Sequence, residues 1–145
     1  MTVAIQDYVK AIFFLSRDDE PVNTKRIAKR LRSSQPAVSK MLKMLAEKGI
    51  VEHTPYYGAK LTKKGEDMAL EVIRHHRLIE RYLVEHLGFS EDEVHDQAEI
   101  LEHHISEEFE AKIADLMGHP ETCPHGSPIP EHPKKEKQHA KTTKH

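Results

Sequence analysis

Residues 24–62 read TKRIAKRLRSSQPAVSKMLKMLAEKGIVEHTPYYGAKLT, and this stretch decides the fold of the N-terminal half. Ile27, Ala28 and Leu31 share one face of a short helix, with Thr24 read as its N-cap. Arg32–Ser33–Ser34 is a polar turn. A second helix opens at Gln35, with Ser34 as N-cap and Pro36 in the first turn, where its missing N–H costs nothing. Val38, Met41, Leu42 and Leu45 form its buried stripe, and Gly49 ends it. Two short helices joined by a tight turn make a helix-turn-helix. Residues 50–54 and 59–62 then read as two strands around Pro55–Tyr56–Tyr57–Gly58, a hairpin placed as a wing.

The outward face of the second helix carries Gln35, Ala37, Ser39, Lys40 and Lys43. Small residues at its start let the helix end approach base edges, and the lysines reach phosphates or guanine acceptors. Ser34, Pro36 and, on the preceding helix, Arg26 complete the expected DNA-contacting set, with Tyr56 and Tyr57 of the wing on the sugar-phosphate backbone. Between Lys25 and Lys48 stand eight basic residues and one acid, Glu47, so the polyanion face is local. Upstream, Ile5, Tyr8, Val9, Ile12 and Phe13 recur at helical spacing and give a first helix over residues 3–16.

Net charge supports a division of labour. The chain carries −2 overall, but +7 over residues 1–64, −12 over 65–130 and +3 over 131–145. A basic module that binds a polyanion precedes an acidic one of a different kind. We therefore expect three parts: a winged helix-turn-helix DNA-binding domain (1–64), a helical domain (65–130) and a disordered Lys/His-rich tail (131–145). The fold class is mainly α, with the hairpin wing as its β element. The longest apolar run, residues 11–15, is too short to span a bilayer, and the single cysteine, Cys123, excludes an intramolecular disulfide. A cytoplasmic location is expected.

The acidic half places polar residues where apolar ones belong. A long helix from about Lys63 to His86 buries Ala69, Val72, Ile73, Leu83 and Leu87, but His76 and Glu80 interrupt that stripe one turn apart. Ser90 and Glu93 read as a capping box for the next helix. There Val94, Ala98, Leu101 and Ile105 face inward, and His95, Glu99, Glu102 and His103 line the adjoining edge. Imidazole nitrogen with carboxylate oxygen suits Mn(II), Fe(II) or Zn(II). Asp7 lies beside the apolar face of helix 1 and offers a further oxygen. Cys123 and His125, on a Pro/Gly-rich turn, pair a soft thiolate with an imidazole. His75, His86 and His104 fall outside these alignments and read as surface residues.

These stretches together resemble the diphtheria-toxin-repressor family, which includes iron- and manganese-dependent repressors. The resemblance is carried by residues 8–12, RIAKRL (26–31), AVSKMLKMLAEKGIV (37–51), YYGAKLTKKG (56–65), HRLIERYL (76–83), VHDQAEILEHHIS (94–106) and CPHGSPIP (123–130). It implies an all-helical dimerisation and metal-binding domain after the winged helix, and a homodimer that reads palindromic operator DNA. It implies one metal site of Asp7, Glu99, Glu102 and His103. His76, Glu80 and His95 match second-site ligands of the iron-responsive branch, and Glu80, Cys123 and His125 those of streptococcal manganese regulators. The iron branch has Met and Cys where this chain has Asp7 and Glu99, and these harder ligands favour Mn(II) without excluding Fe(II). Lys10 replaces a carboxylate of the binuclear manganese branch.

The expected function is thus a metal-dependent transcriptional repressor controlling metal-ion homeostasis, with Mn(II) or Fe(II) as cofactor and Zn(II) or Co(II) able to substitute in vitro. Double-stranded operator DNA and a second copy are the partners, with no membrane and no small organic substrate. The alternative is a winged-helix regulator that answers an organic ligand or redox signal, with the acidic half only a dimer interface. An enzyme is not expected, because no nucleophile or acid–base set stands apart from the candidate ligands.

Overall fold

The computed structural model describes residues 2–132 and divides into two compact units, Met1–Ala69 and Leu70–His145. The elements are α1 (Val3–Leu15), α2 (Thr24–Leu31), α3 (Gln35–Glu47), β1 (Val51–Thr54), β2 (Gly58–Leu61), α4 (Lys63–Leu87), α5 (Val94–Leu101) and α6 (Glu107–Leu116). Among the described residues no helix is long and apolar enough to cross a membrane.

In the first unit, α1 buries Ile5, Tyr8, Val9, Ala11 and Ile12, the face expected from its spacing. Val9, Ile12, Ile27, Val38, Leu42 and Leu45 are wholly buried and knit the three helices into one core. Each such side chain contributes about 1.5–3 kcal/mol relative to exposure. The N-cap of α2 is Asn23, not Thr24: Asn23 Oδ1 accepts from the Arg26 amide at 2.8 Å. Thr24 is the first helical residue, and Asn caps at least as well as Thr. Ser34 caps α3 as expected, its Oγ accepting from the Ala37 amide at 3.2 Å.

The wing is an antiparallel pair with Val51 opposite Leu61 and Thr54 opposite Gly58. Val22 extends it: its N–H and C=O each bond Ala59 at 2.8 Å. This close approach requires Gly58, which has φ +121° and whose added Cβ would lie 2.2 Å from the Val22 carbonyl oxygen. Gly58→Ala is therefore expected to destabilise the protein by more than about 2 kcal/mol. Urea denaturation reads this, and an unmoved midpoint would refute the close-approach argument.

Thr62 opens α4: its Oγ1 accepts from the Gly65 amide at 3.2 Å and donates to the Gly49 carbonyl at 2.7 Å.

In the second unit, Leu78, Ile79, Leu83, Val94, Ala98, Ile113, Ala114 and Ile129 form a separate core. Four expectations are corrected. Leu87 and Leu101 are 56% and 38% exposed, so the apolar stripes end before them. No side-chain capping box opens α5: a turn precedes it, and the Val94 amide bonds the Ser90 carbonyl instead. The helix stops at Leu101, so Glu102 is its C-cap, His103 lies in the following turn, and the four expected ligands do not line one helical edge. A further helix, α6, stands outside those expected from the sequence, although Ser106 caps it by accepting from the Phe109 amide and three glutamates follow in its first turn.

After α6 an irregular segment, residues 120–132, lies along α4. Arg74, Arg77 and Arg81, spaced three and four apart on one helical face, each donate to a backbone carbonyl in it: Pro130 at 2.9 Å, Pro128, and Thr122 at 2.9 Å. The tail expected to be disordered, 131–145, lies from residue 133 onward outside the described residues.

Candidate metal centre and nucleic-acid interface

The second unit buries polar groups that need one another. His76 is 6%, Glu80 3% and Glu102 1% exposed. Both nitrogens of His76 face carboxylates: Nδ1 lies 2.9 Å from Glu102 Oε2 and Nε2 lies 3.2 Å from Glu80 Oε1. Glu99 Oε1 stands 3.8 Å from the same Nδ1. His103 Nε2 is 3.4 Å from Glu102 Oε1, and His95 Nε2 is 3.5 Å from Glu99 Oε1. On the far side of Glu80, Oε2 lies 3.2 Å from His125 Nδ1. A chain of donors thus runs His103–Glu102–His76–Glu80–His125.

Cys123 and His125 reach this place through a tight turn. The Gly126 amide bonds the Cys123 carbonyl at 2.9 Å, and the Cys123 amide bonds the Ser127 carbonyl at 2.8 Å. His125 Nε2 is fixed by donating to the Glu91 carbonyl at 2.9 Å, which leaves Nδ1 directed at Glu80.

Three overlapping sets bring ligand atoms within 4.8 Å of one another: His76, Glu80 and His95; Glu80, Cys123 and His125; and His76, Glu99 and Glu102. Burial pushes the Glu80 carboxyl up, but the neighbouring His76, with His125 and His95, more than offsets this and holds it below the usual range. Even so, Glu80 Oε2 is buried without a hydrogen bond. Such an orphaned anionic atom, ringed by imidazole and thiol, fits a divalent cation, which would satisfy it directly.

His76 touches donors of both expected sites, Glu80 on one side and Glu99 and Glu102 on the other. His75, expected at the surface, is in the interior, at 8% exposure. His75 Nε2 lies 2.7 Å from Glu110 Oε2, and Nδ1 3.4 Å from the Glu102 carbonyl. Both partners are acceptors, an arrangement that favours the protonated ring. Burial works against that charge, but Glu110 and Glu71 outweigh it and raise the His75 pKa. Arg74 Nε donates to Glu110 Oε1 from the other side. Helical spacing alone points to neither Glu110, which pairs from α6, nor the arginines, whose partners are backbone carbonyls of the segment after it. His86 and His104 are exposed, as expected.

In the first unit, Ser34, Gln35, Pro36, Ala37, Ser39, Lys40 and Lys43 are all exposed on the N-terminal part of α3. Tyr56 and Tyr57 are exposed at the wing tip. Arg26 is used differently: it donates to the Leu15 carbonyl at 3.1 Å and lies 3.7 Å from Asp18, binding α2 to the end of α1. Asp7 is half-buried on α1, next to the core residue Tyr8.

Residues 1–59 match the family description "Iron dependent repressor, N-terminal DNA binding domain", and residues 62–131 match "Iron dependent repressor, metal binding and dimerisation domain". An HTH-type transcriptional regulator of Methanocaldococcus jannaschii is 35% identical over 118 residues, covering 81% of this chain and 94% of that protein. The chain belongs to the iron-dependent repressor family. The iron-dependent repressor IdeR of Mycobacterium leprae is 37% identical over 123 residues, 85% of this chain and 54% of IdeR. The transcriptional regulator MntR of Escherichia coli is 42% identical over 104 residues, 72% of this chain and 66% of that protein. Among solved structures, the manganese regulator SloR superposes with a TM-score of 0.76 at 42% identity, covering 91% of this chain and 61% of that one. A Sulfolobus solfataricus protein superposes with 0.77 at 28% identity, covering 90% and 100%. This family member spans about half the length of the curated iron-dependent repressors it matches. Its winged helix-turn-helix followed by a helical domain is the fold expected from the sequence, and the resemblance to the family holds.

Proposed function

We propose that this protein is a transcriptional repressor of metal-ion homeostasis that binds palindromic operator DNA as a homodimer when loaded with Mn(II) or Fe(II). The observation that carries this is the orphaned Glu80 Oε2 within overlapping His/Glu/Cys donor sets, in a chain that also exposes a basic recognition helix. Residues 1–64 serve DNA binding and 65–130 metal binding and dimerisation. The exposed apolar side chains of Leu87, Phe109 and Leu116 on α4 and α6 suit a second copy. The protein works in the cytoplasm, beside its DNA. Relatives include a manganese-dependent repressor in complex with manganese and a regulator with bound Zn(II), in keeping with the mixed N/O donor set here.

In this reading Asp7, Glu99, Glu102 and His103 hold one ion, and Glu80 is the pivot of a second site drawn from His76, His95, Cys123 and His125. The ion supplies charge and fixed coordination; the side chains supply ligation, and none is assigned a catalytic role. Metal favours the DNA-competent arrangement, and by linkage operator DNA raises metal affinity equally. The recognition residues are Ser34, Gln35, Pro36, Ala37, Ser39, Lys40 and Lys43, with Tyr56 and Tyr57 on the backbone. Arg26 contributes by holding α2 in place.

The division of labour is tested on Lys40→Ala. Operator affinity is expected to fall, with the salt dependence shallower by about one counterion, and metal affinity to stay unchanged. A large loss of metal affinity would contradict it. Metal analysis of protein purified without a His-affinity step, followed by Mn(II) titration, separates this reading from a regulator of organic ligands. Metal-free protein that ignores Mn(II) would favour the latter.

A further inference from the structure

A second group of ligating side chains stands away from the candidate centre. Glu71 comes from α4, Glu107 from the start of α6, and His132 from the end of the described C-terminal segment. His132 Nε2 lies 3.9 Å from Glu71 Oε1 and 3.9 Å from Glu107 Oε1, and the three ligand atoms lie within 4.8 Å of one another. These distances are too long for hydrogen bonds. They are close to what a shared ion demands: ligand atoms about 2.1 Å from a tetrahedral metal sit about 3.4 Å apart. Inward movement of less than about 1 Å by each side chain closes the gap.

Burial is graded in the same sense. The His132 side chain is 11% exposed, Glu71 25% and Glu107 54%, so the imidazole is walled in and one side of the group opens to water. That is the arrangement of a site with three protein ligands and solvent in the remaining positions. Arg74, one turn along α4 from Glu71, is committed to Glu110 and to the Pro130 carbonyl, two residues before His132. The backbone leading to His132 is thereby placed: the Pro130 carbonyl is held by Arg74, and the Ile129 amide bonds the Glu121 carbonyl at 2.8 Å.

We propose that Glu71, Glu107 and His132 form a further, peripheral binding site for a divalent first-row metal ion. One imidazole nitrogen and two carboxylate oxygens suit Zn(II), Co(II) or Mn(II). The ion would join α4, α6 and the C-terminal segment, three stretches far apart in sequence. That segment also carries Cys123 and His125, so filling the peripheral site fastens the strap that supplies two donors to the candidate centre. The inference goes beyond the proposed function and does not require it.

The test is the Zn(II) stoichiometry of the full chain by equilibrium dialysis, comparing metal-free wild type with His132→Gln and with Glu107→Gln. Sites elsewhere, including any formed by His139 and His145 of the tail, are common to all three proteins and cancel. Each variant is expected to bind one equivalent less than wild type, with the same far-UV circular dichroism. The second substitution is at a largely exposed position, so it keeps the test open if the first perturbs folding. Equal stoichiometry in a folded variant would overturn the peripheral site while leaving the central one standing. Absence of any Zn(II) binding by wild type would overturn both.

Discussion

Replacing Glu110 by alanine is expected to lower stability by about 3–5 kcal/mol, the usual cost of removing one partner from a buried ion pair. Glu110 is 2% exposed and receives Arg74 on one oxygen and His75 on the other. The substitution leaves a guanidinium at 9% exposure without its counter-charge and takes from His75, at 8%, the carboxylate that favours its protonated form. The damage is expected to spread, because Arg74 also anchors the Pro130 carbonyl and His75 the Glu102 carbonyl. Urea denaturation of metal-free protein reads this, and a loss below about 1 kcal/mol would show that the cluster relaxes around the missing group.

The same cluster gives stability a pH signature. Burial pushes the Glu110 carboxyl up, but His75 and Arg74 outweigh it and the folded pKa is lowered. Its contribution is therefore present above the ordinary carboxylate range and lost as pH falls through the lowered folded value. His75 has a raised folded pKa, so its contribution is full below the ordinary imidazole range and lost as pH rises through the raised value. The two overlap fully between those ranges. In Glu110→Ala that acid-to-neutral maximum should flatten.

Glu102→Gln is expected to abolish metal-stimulated DNA binding while the fold survives. Glutamine keeps the shape of a side chain that is almost wholly buried, and it can still bond His76, 2.9 Å away. It lacks the anionic oxygen that a divalent ion requires. Coupling of this kind between metal and DNA is typically worth about 5- to 150-fold in affinity, and that gain should fall to near unity. DNA binding measured by fluorescence anisotropy with and without Mn(II) gives the result. Full stimulation in a folded Glu102→Gln protein would remove Glu102 from the metal site.

Much of this was legible in the sequence, for identifiable reasons. The winged helix was, because Ser34, Pro36 and Gly49 mark both ends of α3 and Val38, Leu42 and Leu45 repeat between them. Local signals of this kind act within one turn of helix. The metal donors were visible because His76 and Glu80 break an apolar stripe, which is costly unless they meet a partner. What stayed hidden depends on pairing across long separations. Periodicity could not show that His75, facing away from the stripe, meets Glu110, thirty-five residues on. Nor could it show that Arg74, Arg77 and Arg81 clasp backbone carbonyls, since carbonyls leave no mark on the sequence. The capping box misled for a related reason. Ser90 and Glu93 have the right spacing, but the backbone carbonyl of Ser90 takes the bond that a side-chain cap would make.

The central claim is that metal controls DNA affinity. It is tested most directly by measuring binding of the full chain to inverted-repeat DNA from upstream of its own gene. The titration is run first in chelator and then with Mn(II), Fe(II), Zn(II) and Co(II), with a scrambled duplex as control. The account predicts weak, sequence-indifferent binding in chelator and binding to the repeat tightened by about 5- to 150-fold with Mn(II) or Fe(II). Equal affinity for the repeat with and without metal would contradict it.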